Sequence, residues 1–125
     1  MSIALILVVD DDPTIREFVS LVLQDEGYLV DSAPNGIDAL RRIEQQPPAL
    51  ILLDMHMPLM DGWDFADAYH SLSPPHAPII VMTAGHSPQE AGTDIRASAV
   101  LPKPFDIEDL IALVQHWSSA NTGAE

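Results

Sequence analysis

Short apolar runs alternate with segments of helical apolar spacing along most of the chain. The runs that predict strands are ALILVV at 4–9, YLVDSA at 28–33, ALILL at 49–53, PIIVMTA at 78–84 and AVL at 99–101. Helical spacing predicts four helices: between Asp12 and Gly27, between Asn35 and Pro47, through Phe65, Tyr69 and Leu72, and from Ile107 to Trp117. A weaker helix is predicted at 87–96, where Gly92 lowers the helix propensity. Strands alternating with helices form βαβ units. We therefore expect an α/β fold, a doubly wound five-stranded parallel sheet with helices on both faces.

Length and charge narrow the class of protein. The 125 residues predict one domain, and the absence of cysteine excludes a disulfide framework, a zinc–thiolate site and a thiol nucleophile. A net charge of −14 argues against a nucleic-acid partner and favours a cation or a basic surface on a partner protein. The first apolar run is too short for a signal peptide or a membrane span. We expect a cytoplasmic protein with no membrane partner.

Polar, chemically capable residues follow four of the five predicted strands. Asp10, Asp11 and Asp12 follow the first strand, Asp54 follows the third, Thr83 ends the fourth, and Lys103, the only lysine in the chain, follows the fifth. Ligands of doubly wound sheets bind outside the carboxyl ends of the strands. If these strands are neighbours, the residues converge at one edge of the sheet. Asp12 alone has a simpler explanation, as the N-cap of the first helix.

Such a cluster has a definite chemistry. Carboxylates held close together raise one another's pKa, so they ionise together only with a cation, and an all-oxygen site favours Mg²⁺ or Ca²⁺. A hard cation beside an ammonium, a hydroxyl and a nucleophilic carboxylate is suited to phosphoryl transfer. The sequence has no P-loop, GxGxxG or Ser-His motif that would indicate nucleotide binding or acyl transfer.

Four segments, in this order, resemble those of the receiver domains of bacterial two-component response regulators. They are ILVVDDDP at 6–13, LLDMHMPLMDG at 52–62, PIIVMTA at 78–84 and LPKPF at 101–105. The resemblance covers residues 3–118, which we expect to form the core of a single receiver domain in residues 1–125, with a frayed tail at 119–125. It implies a (βα)5 chain with strand order 2-1-3-4-5.

The resemblance also implies a role for each residue at the strand ends. Asp54 is the expected phospho-acceptor, and Asp11 and Asp54 are the expected carboxylate ligands of Mg²⁺. The main-chain carbonyl of His56 is a further expected ligand, and Asp10 acts on the metal mainly through water. Thr83 and Lys103 are expected to bind phosphoryl oxygens.

Three further residues are assigned by the same resemblance. The Lys103–Pro104 peptide is expected to be cis, and Pro58 and Gly62 are expected to shape the loop after Asp54. We also expect Lys103→Ala to spare the fold, because a lysine at the solvent edge contributes little to a core.

The function that the resemblance implies is a signalling switch rather than a turnover enzyme. The domain would take a phosphoryl group from a sensor histidine kinase or a phosphotransfer protein onto Asp54 with Mg²⁺, and later lose it to water. The output protein is unknown from the sequence. The family usually has Tyr or Phe where this chain has Val100, so we expect the phosphate response to appear instead in residues 84–97, whose helix propensity is low.

Two alternatives stay open at this point. The first is a degenerate receiver that binds partners without phosphorylation, which only Val100 favours. The second is a phosphatase of the haloacid dehalogenase type, which needs an aspartate two residues after the nucleophile, where this chain has His56. His70, His76, His86 and His116 show no metal-ligand spacing, and Trp63 and Trp117 are interpreted as packing residues.

Overall fold

A computed structural model of the chain describes residues 4–84 and 95–122, with side chains described as far as Ser118. Its five strands are β1 (Leu5–Val9), β2 (Leu29–Ala33), β3 (Leu50–Asp54), β4 (Ile79–Thr83) and β5 (Ala99–Pro102). All neighbouring strands are parallel, and their order is β2-β1-β3-β4-β5. The predicted doubly wound sheet and its strand order are confirmed.

The helices within these residues are α1 (Pro13–Asp25), α2 (Gly36–Gln45), α3 (Gly62–His70) and α4 (Ile107–Thr122). The weak helix predicted at 87–96 lies almost wholly outside the described residues and stays a prediction. Within the described ranges, no helix combines the length and the apolar character needed to cross a membrane.

Alternate residues of each strand point to opposite faces of the sheet. Both faces are buried, each in its own apolar cluster. Leu7, Val9 and Phe65 belong to the apolar cluster on the face covered by α2 and α3. Ile6 and Val8 belong to the cluster on the opposite face, which is completed by α1 and α4. The sheet is therefore packed between two helical layers. Because both faces are apolar, a polar site can form only at the ends of the strands.

Side-chain caps begin three of the helices. The Asp12 carboxylate accepts a hydrogen bond from Thr14 N (2.9 Å), directly before Pro13 at the start of α1. Asn35 caps α2 and Asp61 caps α3 in the same manner. Such caps satisfy amide groups that have no partner inside the helix. The cap explanation of Asp12 is confirmed.

Two boundaries differ from the sequence prediction. Helix α3 ends at His70, so Leu72 lies beyond it and is 45% exposed. Its C-cap, Ser71, bonds back to the Asp67 carbonyl, and prolines follow at 74 and 75, which cannot continue a helix. Helix α4 runs to Thr122, into the tail expected at 119–125, because no glycine or proline interrupts the chain before Gly123.

Candidate functional site

The strand register brings the predicted site residues to one edge of the sheet. Val9 pairs with Leu53, so Asp10, directly after β1, lies at the level of Asp54, the last residue of β3. Thr83 pairs with Pro102, which places Lys103 directly beyond β5. The sequence prediction that these residues converge at the carboxyl edge is confirmed.

Asp10 is fully buried and each of its polar groups has a partner. Its N–H donates to the Ala33 carbonyl (3.1 Å) and its own carbonyl accepts from Arg16 Nη1 (2.7 Å). Of its carboxylate oxygens, Oδ1 accepts from Asp12 N (2.9 Å) and Oδ2 from Lys103 Nζ (2.7 Å). A buried carboxylate held in this way has a fixed position and a fixed charge partner.

Lys103 lies between two carboxylates. Its Nζ is 2.7 Å from Asp10 Oδ2 and 3.7 Å from Asp54 Oδ1, and its side chain is only 19% exposed. Its N–H donates to the Thr83 carbonyl (2.9 Å), and the peptide to Pro104 is cis, as expected. The premise that Lys103 lies at the solvent edge is therefore wrong, since the lysine is the charge partner of a fully buried aspartate.

Asp54 is the titratable group most affected by this environment. Burial raises the pKa of Asp54 to about 6, and the negative charge of Asp10 adds to the rise. Lys103 and the N–H of His56, which lies 3.4 Å from Asp54 Oδ1, lower that pKa in part. At neutral pH the Asp54 carboxylate is thus mostly ionised. Near pH 6 a proton competes with a cation for this carboxylate.

Asp10, Asp11 and Asp54 each offer a carboxylate oxygen, and the three oxygens lie within 4.8 Å of one another. Asp10 and Asp54 are buried, and Asp11 is exposed to solvent. Three hard oxygen donors, one of them open to water, fit Mg²⁺, which keeps several waters and prefers carboxylates. These are the three aspartates that the sequence analysis assigns to a metal site, and their binding of Mg²⁺, with the carbonyl of His56 as a further ligand, stays a prediction.

The loop between Asp54 and α3 is held by close backbone contacts. Gly62 N donates to the Met55 carbonyl (2.9 Å), and a Cβ at Gly62 would lie 2.7 Å from Met55 Cα and 3.0 Å from the Asp54 carbonyl oxygen. At the loop tip, Met60 N donates to the Pro58 carbonyl (2.7 Å) across Leu59, whose φ is 68°. These contacts explain why a glycine is needed at 62.

Three further residues, His56, Thr83 and Arg16, lie next to the carboxylate cluster or contact it, and only Arg16 was not predicted from the sequence. His56 is exposed, and its ring meets Trp63 edge-on at 5.5 Å between centroids. Thr83 is buried at the end of β4. Arg16 was not predicted as a site residue, because its bond to the Asp10 carbonyl depends on where α1 packs. Its only sequence signal is a lone arginine six residues after Asp10.

Curated relatives match most of the chain. Response regulator MprA of Mycobacterium ulcerans is 41% identical over 109 residues, which are 86% of this chain and 47% of the relative. Response regulator MprA of Mycobacterium leprae is 38% identical over 112 residues, 88% of this chain and 49% of the relative. The chain thus spans about half the length of the curated relatives it matches.

Solved structures show the same fold. The chemotaxis response regulator CheY4 of Vibrio cholerae has a TM-score of 0.84 at 36% identity, over 92% of this chain and 98% of that one. A CheY-like receiver domain protein from Methanospirillum hungatei has a TM-score of 0.88 at 28% identity, over 97% of this chain and 98% of that one. The family described as "Response regulator receiver domain" matches residues 6–115. The chain therefore belongs to the response regulator receiver domain family.

Proposed function

We propose that this receiver domain accepts a phosphoryl group on Asp54 in a Mg²⁺-dependent reaction and that the modified domain changes its affinity for a partner protein. The observation that carries the proposal is Lys103 Nζ lying within 3.7 Å of Asp54 and 2.7 Å of Asp10. One cationic side chain therefore faces both the expected acceptor and the metal-binding carboxylates. Residues 1–125 are proposed to be a single receiver domain with its core at 3–118.

The acceptor residue must be ionised to attack phosphorus. With a pKa of about 6, Asp54 is mainly a carboxylate at pH 7, and one of its oxygens can form the new P–O bond. In transfer from a phosphohistidine, the P–N bond breaks and its electron pair returns to the imidazole of the donor. The product is an aspartyl phosphate, which water later hydrolyses.

The surrounding residues offset the negative charge of the transferred group. Asp11 and Asp54 would hold Mg²⁺ directly, with the main-chain carbonyl of His56 as a proposed third protein ligand and Asp10 acting mainly through water. Bound there, the ion would supply charge neutralisation at the phosphoryl oxygens. Lys103 would ion-pair with one phosphoryl oxygen, and the hydroxyl of Thr83 would donate to another. Both side chains leave from the ends of neighbouring strands, which keeps them close to Asp54.

A phosphatase of the haloacid dehalogenase type is not favoured. The position two residues after Asp54, where that chemistry needs an aspartate, carries the exposed ring of His56. A receiver that ignores phosphate is also not favoured, because the carboxylates, the threonine and the lysine all lie at the same sheet edge. The proposed donors are a sensor histidine kinase or a phosphotransfer protein, and the partner that receives the signal is a protein of unknown identity.

Acetyl phosphate tests the proposal without a kinase. Incubation with Mg²⁺ should add one phosphoryl group to the intact chain, measured by mass spectrometry, and EDTA should prevent it. Asp54→Asn should not be labelled, whereas Asp61→Asn, a helix cap outside the carboxylate cluster, should be labelled normally. Equal labelling of wild type and Asp54→Asn would refute the assignment of the acceptor.

The switch surface is a second part of the proposal. Val100 is half-buried on β5 and packs against the apolar cluster of one sheet face. A β-branched side chain is stiff at χ1, so it is poorly suited to move between two positions as an aromatic ring can. Hydrogen exchange with and without beryllofluoride should therefore change most in residues 84–97. Changes confined to other parts of the chain would contradict this account of the output surface.

A further inference from the structure

Two histidines meet at the end of the sheet opposite to Asp54. His70 is the last residue of α3, and His76 lies in the loop that leads to β4. Their ring centroids are 5.5 Å apart and their planes cross at 81°, so the rings are close but not stacked. The two histidines are six positions apart in the sequence, which is not a recognised metal-ligand spacing. The turn after α3 brings them together.

The hydrogen bonding of His76 leaves one nitrogen free to bind a metal. His76 Nε2 lies 2.7 Å from the Leu72 carbonyl, which can only accept, so this nitrogen carries the proton. The Nδ1 of the same ring then keeps its lone pair. Metal-binding histidines usually donate their second nitrogen to a carbonyl or carboxylate in this way, which fixes the tautomer and the orientation of the ring.

The spacing of the two rings fits a shared ion. With Zn–N bonds of about 2.0–2.1 Å and tetrahedral geometry, the centroids of two bound imidazoles lie about 5 Å apart. The observed separation of the centroids, 5.5 Å, is close to this value. Asp67 precedes His70 by three residues on α3, a spacing that places both side chains on the same helix face.

The rings line a cavity that leaves room for further ligands. The cavity has a volume of about 560 Å³, and Asp67, His70, His76 and Arg96 are among its lining residues. Partial desolvation of the His70 ring, which is otherwise exposed, lowers the pKa of His70; the nearby His76 and Arg96 lower it further, and Asp67 opposes them. A neutral imidazole at pH 7 is the protonation state that binds a metal.

We propose that His70 and His76 form a second metal site, selective for Zn²⁺ or a similar imidazole-binding ion, with water completing the coordination and Asp67 contributing a nearby negative charge. Imidazole ligands favour Zn²⁺, Ni²⁺ and Cu²⁺, whereas the all-carboxylate cluster at the other end of the sheet favours Mg²⁺. The two sites therefore differ in ligand chemistry as well as in position. The proposal does not depend on phosphoryl transfer at Asp54.

Arg96 and Asp67 carry opposite charges next to the proposed ion, so substituting each of them tests its location. The positive charge of Arg96 acts on the His70 ring and opposes a cation in the same cavity, while the Asp67 carboxylate favours one. Arg96→Gln should therefore tighten Zn²⁺ binding, and Asp67→Asn should weaken it. Equal and unchanged affinity in both variants would show that the ion does not bind in this cavity.

Isothermal titration calorimetry of the full chain with ZnCl₂ tests the site directly. Excess Mg²⁺ in the buffer keeps the carboxylate cluster occupied. Wild type should bind one Zn²⁺, and Asp54→Asn should bind it equally. His70→Ala should lose the binding event, and this exposed residue can be removed without opening the core. His116→Ala is the matched control, since it deletes an exposed histidine on α4 and should bind as wild type.

Histidine NMR signals supply a readout that a change in folding would not mimic. Zn²⁺ should shift the ring resonances of His70 and His76 and leave those of His56 and His116 in place. The proposal is overturned if wild type binds no Zn²⁺, if His70→Ala binds it with unchanged affinity, or if the shifted resonances belong to other histidines.

Discussion

At the scale of the residue, the pair formed by Asp10 and Lys103 decides how the site is built. A fully buried carboxylate is tolerated because an ammonium lies 2.7 Å from Oδ2 and the N–H of Asp12 donates to Oδ1. The lysine is thereby placed 3.7 Å from Asp54. One ion pair therefore both stabilises the fold around Asp10 and supplies the cation that faces Asp54, the proposed acceptor.

Lys103→Ala should destabilise the metal-free protein, because it leaves the Asp10 carboxylate buried without its charge partner. Removing one member of a fully buried pair costs about 3–5 kcal/mol, and we expect a smaller loss here because the Lys103 side chain is partly exposed. Urea unfolding in EDTA measures the loss, and Mg²⁺ should restore part of it. Lys103→Arg, which keeps the charge, is the control. Stability equal to wild type in EDTA would show that Asp10 does not need the lysine.

The raised pKa of Asp54 predicts how stability depends on pH in the absence of Mg²⁺. The folded pKa of about 6 exceeds the ordinary value of 3.8, so the folded state binds the proton more tightly than the unfolded state. This contribution to stability is complete below pH 3.8 and is lost as the pH rises through about 6. Thermal unfolding of wild type and Asp54→Asn at pH 5 and pH 7.5 tests it.

Asp54→Asn should gain on wild type at the higher pH, since the amide carries no charge to bury. Mg²⁺ should reverse the difference at pH 7.5, and its affinity for wild type should fall below about pH 6, where protons compete for Asp54. A stability difference between the two proteins that is the same at both pH values would contradict the assigned pKa.

At the scale of the element, the loop from β3 to α3 is the part of the site most constrained by backbone contact. Gly62→Ala would bring a Cβ within 2.7 Å of Met55 Cα, so the backbone next to Asp54 must move. At Gly36→Ala the three nearest atoms all belong to the Met60 side chain, the closest at 2.7 Å, and another methionine rotamer moves Cγ and Sδ but not Cβ at 3.0 Å. The two glycines form a matched pair of test positions.

We expect Gly62→Ala to lower the free energy of unfolding by about 1–3 kcal/mol, as overpacking does, and to slow labelling by acetyl phosphate. Gly36→Ala should cost less and should leave the labelling rate close to that of wild type. Chemical unfolding and initial rates of phosphorylation give the two numbers. If Gly36→Ala proves the more harmful in both assays, the contact at Gly62 is not the one that positions Asp54.

The elements that sequence reasoning predicted are those with a local cause. The strand at 49–53 is a continuous apolar run, and the start of α1 has both a capping aspartate and a proline, so each was visible without the fold. The end of α3 was placed too late because Leu72 continued the apolar stripe. The turn formed by Ser71 and the prolines after it outweighs that stripe.

The features that were missed depend on contacts between distant parts of the chain. Arg16 reaches the Asp10 carbonyl only once α1 has packed on the sheet. His70 and His76 come together through the turn between α3 and β4, and their separation in the sequence gives no hint of it. The burial of Lys103 was also missed, because its position after β5 predicted the correct edge but not the depth.

At the scale of the whole molecule, the parallel sheet separates two kinds of chemistry. The carboxyl ends of β1, β3, β4 and β5 carry the residues proposed for phosphoryl transfer, and the opposite end carries the histidine pair. The net charge of −14 favours a partner with a basic surface, whose association should weaken as salt is added. The proposed phosphoryl group would make the acidic edge more negative, and the proposed Mg²⁺ together with Lys103 would offset the resulting repulsion.

Locating the modified residue tests the central claim most directly. After labelling with acetyl phosphate and Mg²⁺, borohydride reduction converts an aspartyl phosphate to homoserine, and tandem mass spectrometry locates the converted residue. The account predicts homoserine at position 54 alone, with Asp10 and Asp11 unchanged and no conversion in EDTA. Homoserine at position 10 or 11, or a phosphorylated chain without any converted aspartate, would contradict it.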